Sequence, residues 1–293
     1  MTNSINRRTL LGVAMAGVGA VVTGSPAAAQ GPRAQDALAQ LEARARVRLG
    51  VFALDTATQA STGYRADERF LLCSTGKVLD VAAILKRSET DPGLLDRVIT
   101  YGPSDVLAYA PVTSQHVTDG MTVAALCDAA ITVSDNTAAN LLVELLGGPP
   151  AVTAFARGIG DGVTRVDRLE PDLNVTTPGD PRDTSTPRQM ALDLQTLVLG
   201  DGLADDSRQR LTDLLKANTT GAQTIRAGLP SDWVVGDKTG SGAQGEGNDV
   251  AVAWPPNRPP LLIAIYVAPV DPHLAADDVH RVIAEAARIA SGS

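Results

Sequence analysis

Between residues 34 and 47 apolar side chains recur at helical spacing, with Leu38, Leu41 and Ala45 on one face, and residues 48–54 then change to a short, nearly continuous apolar run. This predicts a helix leading into a strand. A second strand is expected at residues 62–65, after a turn-like stretch at 57–61. From 74 to 86 the residues Val78, Leu79, Val81, Ala82, Ala83, Ile84 and Leu85 are apolar nearly all the way round, the signature of a helix buried on every side. Further helices are expected at 123–133, 136–146, 151–157, 187–199 and 206–215. The period then changes to β-rich runs at 233–238, 249–254 and 261–267, separated by Gly/Pro turns, with a closing helix at 277–290. Strands joined by short turns form antiparallel sheets. With strands near both termini and helices between, the expected fold is α/β: an antiparallel sheet with flanking helices built from residues 30–68 and 217–293, plus an inserted all-α domain at 69–216. A cleft would lie between the two.

Two stretches fall outside this scheme. Residues 1–29 combine Arg7-Arg8, a Leu pair, an apolar run and Ala27-Ala28-Ala29, with no acidic residue. They are expected to be an export signal of the twin-arginine type, cleaved after Ala29, which predicts a periplasmic or extracellular protein. The apolar run is shorter than the roughly 20 residues that a spanning helix needs. The other stretch, 160–187, is rich in Pro, Asp, Thr and Gly; loops that long serve a function or are disordered.

The 293 residues are 44% apolar and carry a net charge of −8, the composition of a globular protein unsuited to a phosphate backbone. No nucleic-acid partner is expected, no membrane after signal removal, and the chain is expected to be a monomer. Cys73 and Cys127 are the only cysteines, too few for a disulfide-stapled scaffold. There are four lysines, Lys77, Lys86, Lys216 and Lys238, and two of them lie in short motifs.

Ser74 and Lys77 are three apart at the start of the buried helix, so their side chains face the same way. A serine becomes nucleophilic when a neighbouring base takes its proton, and a desolvated lysine is such a base. Alone, Ser-x-x-Lys is a weak signal, and a capped helix with a surface lysine is its ordinary explanation. Ser134-Asp135-Asn136 lies between two helices, where Ser or Asn as N-cap is the ordinary explanation, and Lys238-Thr239-Gly240 reads as the end of a strand running into a hairpin turn. In the long loop, Glu170 and Asn174 are four apart, a carboxylate and an amide able to hold one water between them.

Taken together these elements form a known set of catalytic motifs. The chain resembles the class A serine β-lactamases over nearly all of its length beyond the signal. The resemblance includes Arg69-Phe70-x-x-Cys73-Ser74-Thr75-x-Lys77, Tyr109-Ala110-Pro111-Val112-Thr113, Ser134-Asp135-Asn136-Thr137, Arg168-x-Glu170-Pro171-x-Leu173-Asn174 and Lys238-Thr239-Gly240-Ser241-Gly242. It implies the β-lactamase and penicillin-binding-protein fold, an omega loop at about 165–183 held by an Arg168–Asp183 ion pair, and often a cis bond before Pro171. It implies Ser74 as nucleophile on the lactam carbonyl, assisted by Lys77, with Ser134 relaying a proton to the ring nitrogen and Glu170 with Asn174 driving deacylation. Backbone N–H groups of Ser74 and Ser241 would form the oxyanion hole. Lys238 and Thr239 would meet the substrate carboxylate beside Gly240, Asn136 would meet the acylamide side chain, and Tyr109 would wall the cleft.

The family often places an arginine after the Lys-Thr-Gly strand, and residues 243–249 offer none; Arg226, His280 and Arg281 are the nearby candidates. Gly242 stands where some carbapenem-hydrolysing relatives have a second cysteine, so efficient carbapenem hydrolysis is not indicated. No cofactor is expected. The histidines His116, His273 and His280 are scattered, without metal-ligand spacing. The run Gly240 to Gly245 matches a dinucleotide fingerprint by letter but precedes a strand, and so reads as a turn. Rival readings are a D-alanyl-D-alanine peptidase, against which Glu170 and Asn174 speak, and a non-catalytic drug sensor.

Overall fold

The computed structural model describes residues 1–2, 27–175, 177 and 179–293. Most of the expected export signal therefore lies outside the described residues. The chain enters through α1 (Ala27–Ala45) and then forms β1 (Val47–Asp55), β2 (Ser61–Tyr64) and β3 (Phe70–Leu71). A helical block follows: α2 (Lys77–Ser88), the short strands β4 (Val98–Ile99) and β5 (Met121–Thr122), then α3 (Val123–Thr132), α4 (Asn136–Leu146) and α5 (Pro149–Gly158). After the long loop come β6 (Thr184–Ser185), α6 (Pro187–Leu194), α7 (Asp205–Lys216) and the single turn α8 (Ile225–Gly228). The chain closes with β7 (Val234–Ser241), β8 (Gly247–Trp254), β9 (Leu261–Pro269) and α9 (Ala276–Ser291).

The strands of the main sheet run in the order β2-β1-β9-β8-β7, every pair antiparallel. Its β9 strand is buried over Leu261–Val267 because both faces are covered, and the strand period of two sorts its side chains between two cores. Val51, Ala251, Ile263 and Ile265 pack with Leu38 and Leu41 of α1 and Val282 and Ile283 of α9. Phe52, Val250, Val252, Leu262 and Tyr266 face the helical block, where α2 lies at the centre against α3, α4, α5 and α7. A slip of one residue in register would exchange these two sets, so burial on both faces fixes the pairing.

Several boundaries differ from expectation, each for a local reason. The helix expected from Ser74 begins as a tight turn of 3-10 type, Cys73–Gly76, and becomes α-helical at Lys77. The helix expected at 187–199 ends at Leu194 and widens into a π-type stretch, Gln195–Leu199. Lys238-Thr239-Gly240 does not end its strand: β7 continues to Ser241, and the reversal falls at Gly242, whose N–H donates to the Glu246 carbonyl at 2.9 Å. The ladders β3–β6 and β4–β5 are two residues long, too short to leave a period in the sequence.

The seam between α8 and α9 depends on a missing side chain. A β-carbon on Gly228 would sit 2.0 Å from the Ala284 carbonyl oxygen and 2.9 Å from Ala287 Cβ. Gly228→Ala is expected to lower stability by about 1–3 kcal/mol through this overpacking. Urea unfolding checks it: the midpoint should fall at unchanged slope, and an unmoved midpoint would mean that the seam opens freely.

Candidate active site

Backbone geometry aims the serine. Cys73 has a left-handed φ of 48°, which turns the chain sharply into the Cys73–Gly76 turn and leaves Ser74 at the mouth of a cleft of about 420 Å³. The turn is anchored from behind. Asn248 on β8 donates to the Leu71 and Leu72 carbonyls at 2.8 and 3.2 Å, and the Thr75 hydroxyl donates to the Leu72 carbonyl at 2.6 Å. Gly240 lets β7 approach, since a β-carbon there would lie 3.0–3.1 Å from Cys73 Cβ, the Leu72 carbonyl and the Ser74 amide nitrogen.

One turn on, Lys77 is 2% exposed, and its ammonium has five oxygens within reach of its three protons. They are Ser74 Oγ at 3.0 Å, the Ser134 carbonyl at 2.9 Å, Ser134 Oγ at 3.3 Å, Asn136 Oδ1 at 2.6 Å and Glu170 Oε1 at 3.0 Å. Burial pushes its pKa below the ordinary lysine value, while the charges of Glu170, Asp80 and Asp135 oppose the shift. Lys238, fully buried, donates to Ser134 Oγ at 3.1 Å from the other side and to the Thr239 carbonyl at 2.8 Å. Burial, reinforced by the like charge of Lys77, brings Lys238 down to about 7. Ser134 Oγ thus bridges two lysines.

Ser134 takes its place through a left-handed φ of 61°. Neither it nor Asn136 caps α4. That role falls to Asp135, which accepts from the Ala138 N–H at 2.9 Å and from the Val112 and Thr113 N–H groups at 3.0 and 2.9 Å. One buried carboxylate so fastens the start of α4 to the segment carrying Tyr109, whose carbonyl accepts from the Asn136 N–H at 3.0 Å.

Glu170 arrives on the long loop, 4% exposed, with a cis peptide bond to Pro171. The loop is pinned at its base by Arg168 and Asp183, 2.5 Å apart, and Asp183 also accepts from the Asp167 and Arg168 N–H groups at 2.7 and 2.9 Å. Asn140 of α4 holds the Glu170 backbone from both sides, accepting from its N–H and donating to its carbonyl, each at 2.9 Å. Ser74 Oγ stands 3.4 Å from Glu170 Oε1, and the Asn174 amide donates to Glu170 Oε2.

All eleven residues singled out in the sequence converge here. Ser74, Tyr109, Ser134, Asn136, Asn174, Thr239, Gly240 and Ser241 line the cleft, while Lys77, Glu170 and Lys238 bond to its walls from beneath. Sequence reasoning missed Asn140, Asn248 and Thr220, whose hydroxyl lies 2.5 Å from that of Thr239. They form no local motif. Of the candidates for the missing arginine, His280 lines the cleft. Arg226 is instead paired with Asp237, and Arg281 with Asp278. Cys73 and Cys127 are buried free thiols, raised by burial, Cys127 to about 12.

Residues 33–292 match the model of the β-lactamase enzyme family. β-Lactamase CTX-M-25 of Escherichia coli is 50% identical over 289 residues, spanning 99% of this chain and 98% of the relative. β-Lactamase AST-1 of Nocardia asteroides is 51% identical over 251 residues, 86% of this chain and 80% of the relative. Among solved structures, the ancestral class A β-lactamase of Gram-negative bacteria superposes with a TM-score of 0.84 at 57% identity, covering 87% of this chain and 98% of that one. The class A β-lactamase of Mycobacterium abscessus superposes with a TM-score of 0.85 at 53% identity, covering 87% and 97%. A fold matched over 87% of the chain, with half or more of the aligned residues identical, makes the chain a member of the class A β-lactamases, hydrolases of β-lactams.

Proposed function

We propose that the chain hydrolyses penicillins and cephalosporins, and so confers resistance to them, through an acyl-enzyme on Ser74 that a Glu170-activated water releases. The observation that carries this reading is the convergence on Ser74 Oγ of an amine at 3.0 Å and a carboxylate at 3.4 Å, both buried and themselves 3.0 Å apart. The serine proton has a direct route to either. As Ser74 Oγ bonds to the lactam carbonyl carbon, the ring C–N bond breaks and Ser134, within reach of both lysines, passes a proton to the departing nitrogen. Backbone N–H groups of Ser74 and Ser241 receive the oxyanion, each worth about 10²–10³ in rate. Glu170, oriented by Asn174 and Asn140, then takes a proton from a water as its oxygen attacks the ester carbonyl, and Ser74 leaves with a proton restored. Lys238 and Thr239 hold the substrate carboxylate, Asn136 its acylamide, and Tyr109 walls the cleft.

The same reading places lobe boundaries near residues 68 and 216 and makes the exported protein a monomer. Arg7-Arg8 and Ala27-Ala28-Ala29 support export by the twin-arginine route to the periplasm or beyond.

An intact-mass time course of residues 30–293 with excess benzylpenicillin tests the mechanism. The drug should gain one water while the Ser74 adduct stays transient; a stoichiometric adduct with no further drug consumed would instead indicate a peptidase or sensor. Ser74→Ala should carry no adduct at all, and labelling at another residue would displace Ser74 as nucleophile. Glu170→Ala should accumulate the adduct, with turnover lower by about 10²–10⁴; undiminished turnover would assign the water to another base.

Lys238 gives a pH dependence. With its pKa down at about 7, the free enzyme loses this positive charge as pH rises from 6 to 8.5, so KM for benzylpenicillin should rise by up to about thirtyfold over that range. Lys238→Arg, whose guanidinium stays charged, should flatten the rise. A flat wild-type profile would separate Lys238 from carboxylate binding.

A further inference from the structure

Beside the reaction cleft lies a second, smaller cavity, lined by α2, α4 and the long loop and about 20 Å³ in volume. That is room for one water. Two of its walls are Lys77 and Glu170, and a third is Asp80, one helical turn beyond Lys77 on α2. Asp80 is 6% exposed and its Oδ1 has no hydrogen-bond partner among the described residues. A buried carboxyl without a partner is costly, and native structures relieve that cost by neutralising the group or hydrating it. The other charged groups around the cavity are Arg168 and Asp183, whose ion pair closes the loop base. From α4 the cavity receives the Asn140 amide, committed to the Glu170 backbone, and otherwise Ala139 and Val143.

We propose that Asp80 is a positioning residue for the hydrolysis: linked through a water in this cavity to Lys77 and Glu170, its carboxyl governs how the proton is held between them. The proposal rests on the catalytic reading of those two residues given above. Burial pushes Asp80 up to about 8, Glu170 adding to the shift and Lys77 opposing it. Through neutral pH the carboxyl is therefore protonated, able to donate to the water while leaving the Lys77–Glu170 pair its own proton. Once ionised, it places a negative charge beside Lys77 and holds the ammonium form, so that Lys77 keeps its proton to higher pH.

Two variants test this, Asp80→Asn, which keeps the shape, and Asp80→Leu, which fills the space. In both, Lys77 should give up its proton at lower pH, so the pH profile of kcat for benzylpenicillin should move to lower pH by about 0.5–1 unit, with KM at pH 6 unchanged. Both should also melt higher at pH 7. The unfolded chain ionises Asp80 from about pH 4, whereas the folded one holds the proton to about 8, so the carboxyl lowers stability progressively across that window. A raised Tm with pH profiles that superimpose on wild type would reduce Asp80 to a structural defect and overturn the proposal. Wild-type samples run alongside report the transient Ser74 adduct; its absence would overturn the catalytic reading first, and this proposal with it.

Discussion

The Lys77 ammonium lies almost fully out of water, and five oxygens from four segments of chain have to be brought within bonding distance of it. An unpaired charge in such a place would cost many kcal/mol or surrender its proton. The surrounding elements are arranged to prevent the first outcome while leaving the second within reach. The turn at Cys73 presents Ser74 Oγ, the left-handed Ser134 presents both its carbonyl and its hydroxyl, the first residue of α4 presents Asn136, and the loop delivers Glu170. Each of these is held by bonds that do not involve Lys77, from Asn248, Asp135 and Asn140 in turn. The acceptors are therefore in place before the lysine needs them, the condition for electrostatic pre-organisation.

The loop is the least self-sufficient of these parts, having little regular structure of its own. Besides Val166 and Leu169, which pack on the helical core, it is fixed by polar bonds: the Arg168–Asp183 pair at the base and the two-sided grip of Asn140 on the Glu170 backbone. Asp183 is almost fully buried and satisfies two backbone N–H groups as well as the guanidinium, so removing it would strand three donors. Breaking a buried pair by deleting one partner costs about 3–5 kcal/mol. In this loop that energy would be lost as misplacement of Glu170 before it appeared as unfolding of the sheet, because the strands of the main sheet and the core beneath α1 and α9 include no residue of the loop.

Much of this was legible in the chain before folding, and physical locality explains which parts. Ser74 with Lys77, residues 134–136 and residues 238–240 each lie within a single turn or strand end, so sequence spacing already fixes their mutual geometry. The long apolar runs gave α2 and β9 for the same reason. Asp80 was not legible: in sequence it is one polar position interrupting an apolar helix, and its meaning comes from a loop some ninety residues away. Asn140 and Asn248 were equally silent, since an amide at a helix or strand position acquires a role only from the backbone it faces. The N-cap of α4 is not legible locally because Ser, Asp and Asn are all good caps, and only the bond from the Ala138 N–H to the Asp135 carboxylate singles out Asp135.

The two lysines also constrain each other. Ser134 Oγ stands 3.3 Å from one amine and 3.1 Å from the other, so two positive charges share a single hydroxyl in a buried setting. The charge of Lys77 lowers Lys238, and by reciprocity the charge of Lys238 must lower Lys77. On the proposed reading, a substrate carboxylate arriving at Lys238 holds that lysine protonated. The full cost of the neighbouring positive charge then falls on Lys77, which is pushed toward the neutral amine as the serine needs a base. The hydroxyl between them is polarised the same way, accepting from the charged Lys238 and so positioned to hand on its own proton. An anionic group on the substrate would therefore contribute to turnover as well as to binding, through a charge that never touches the scissile bond.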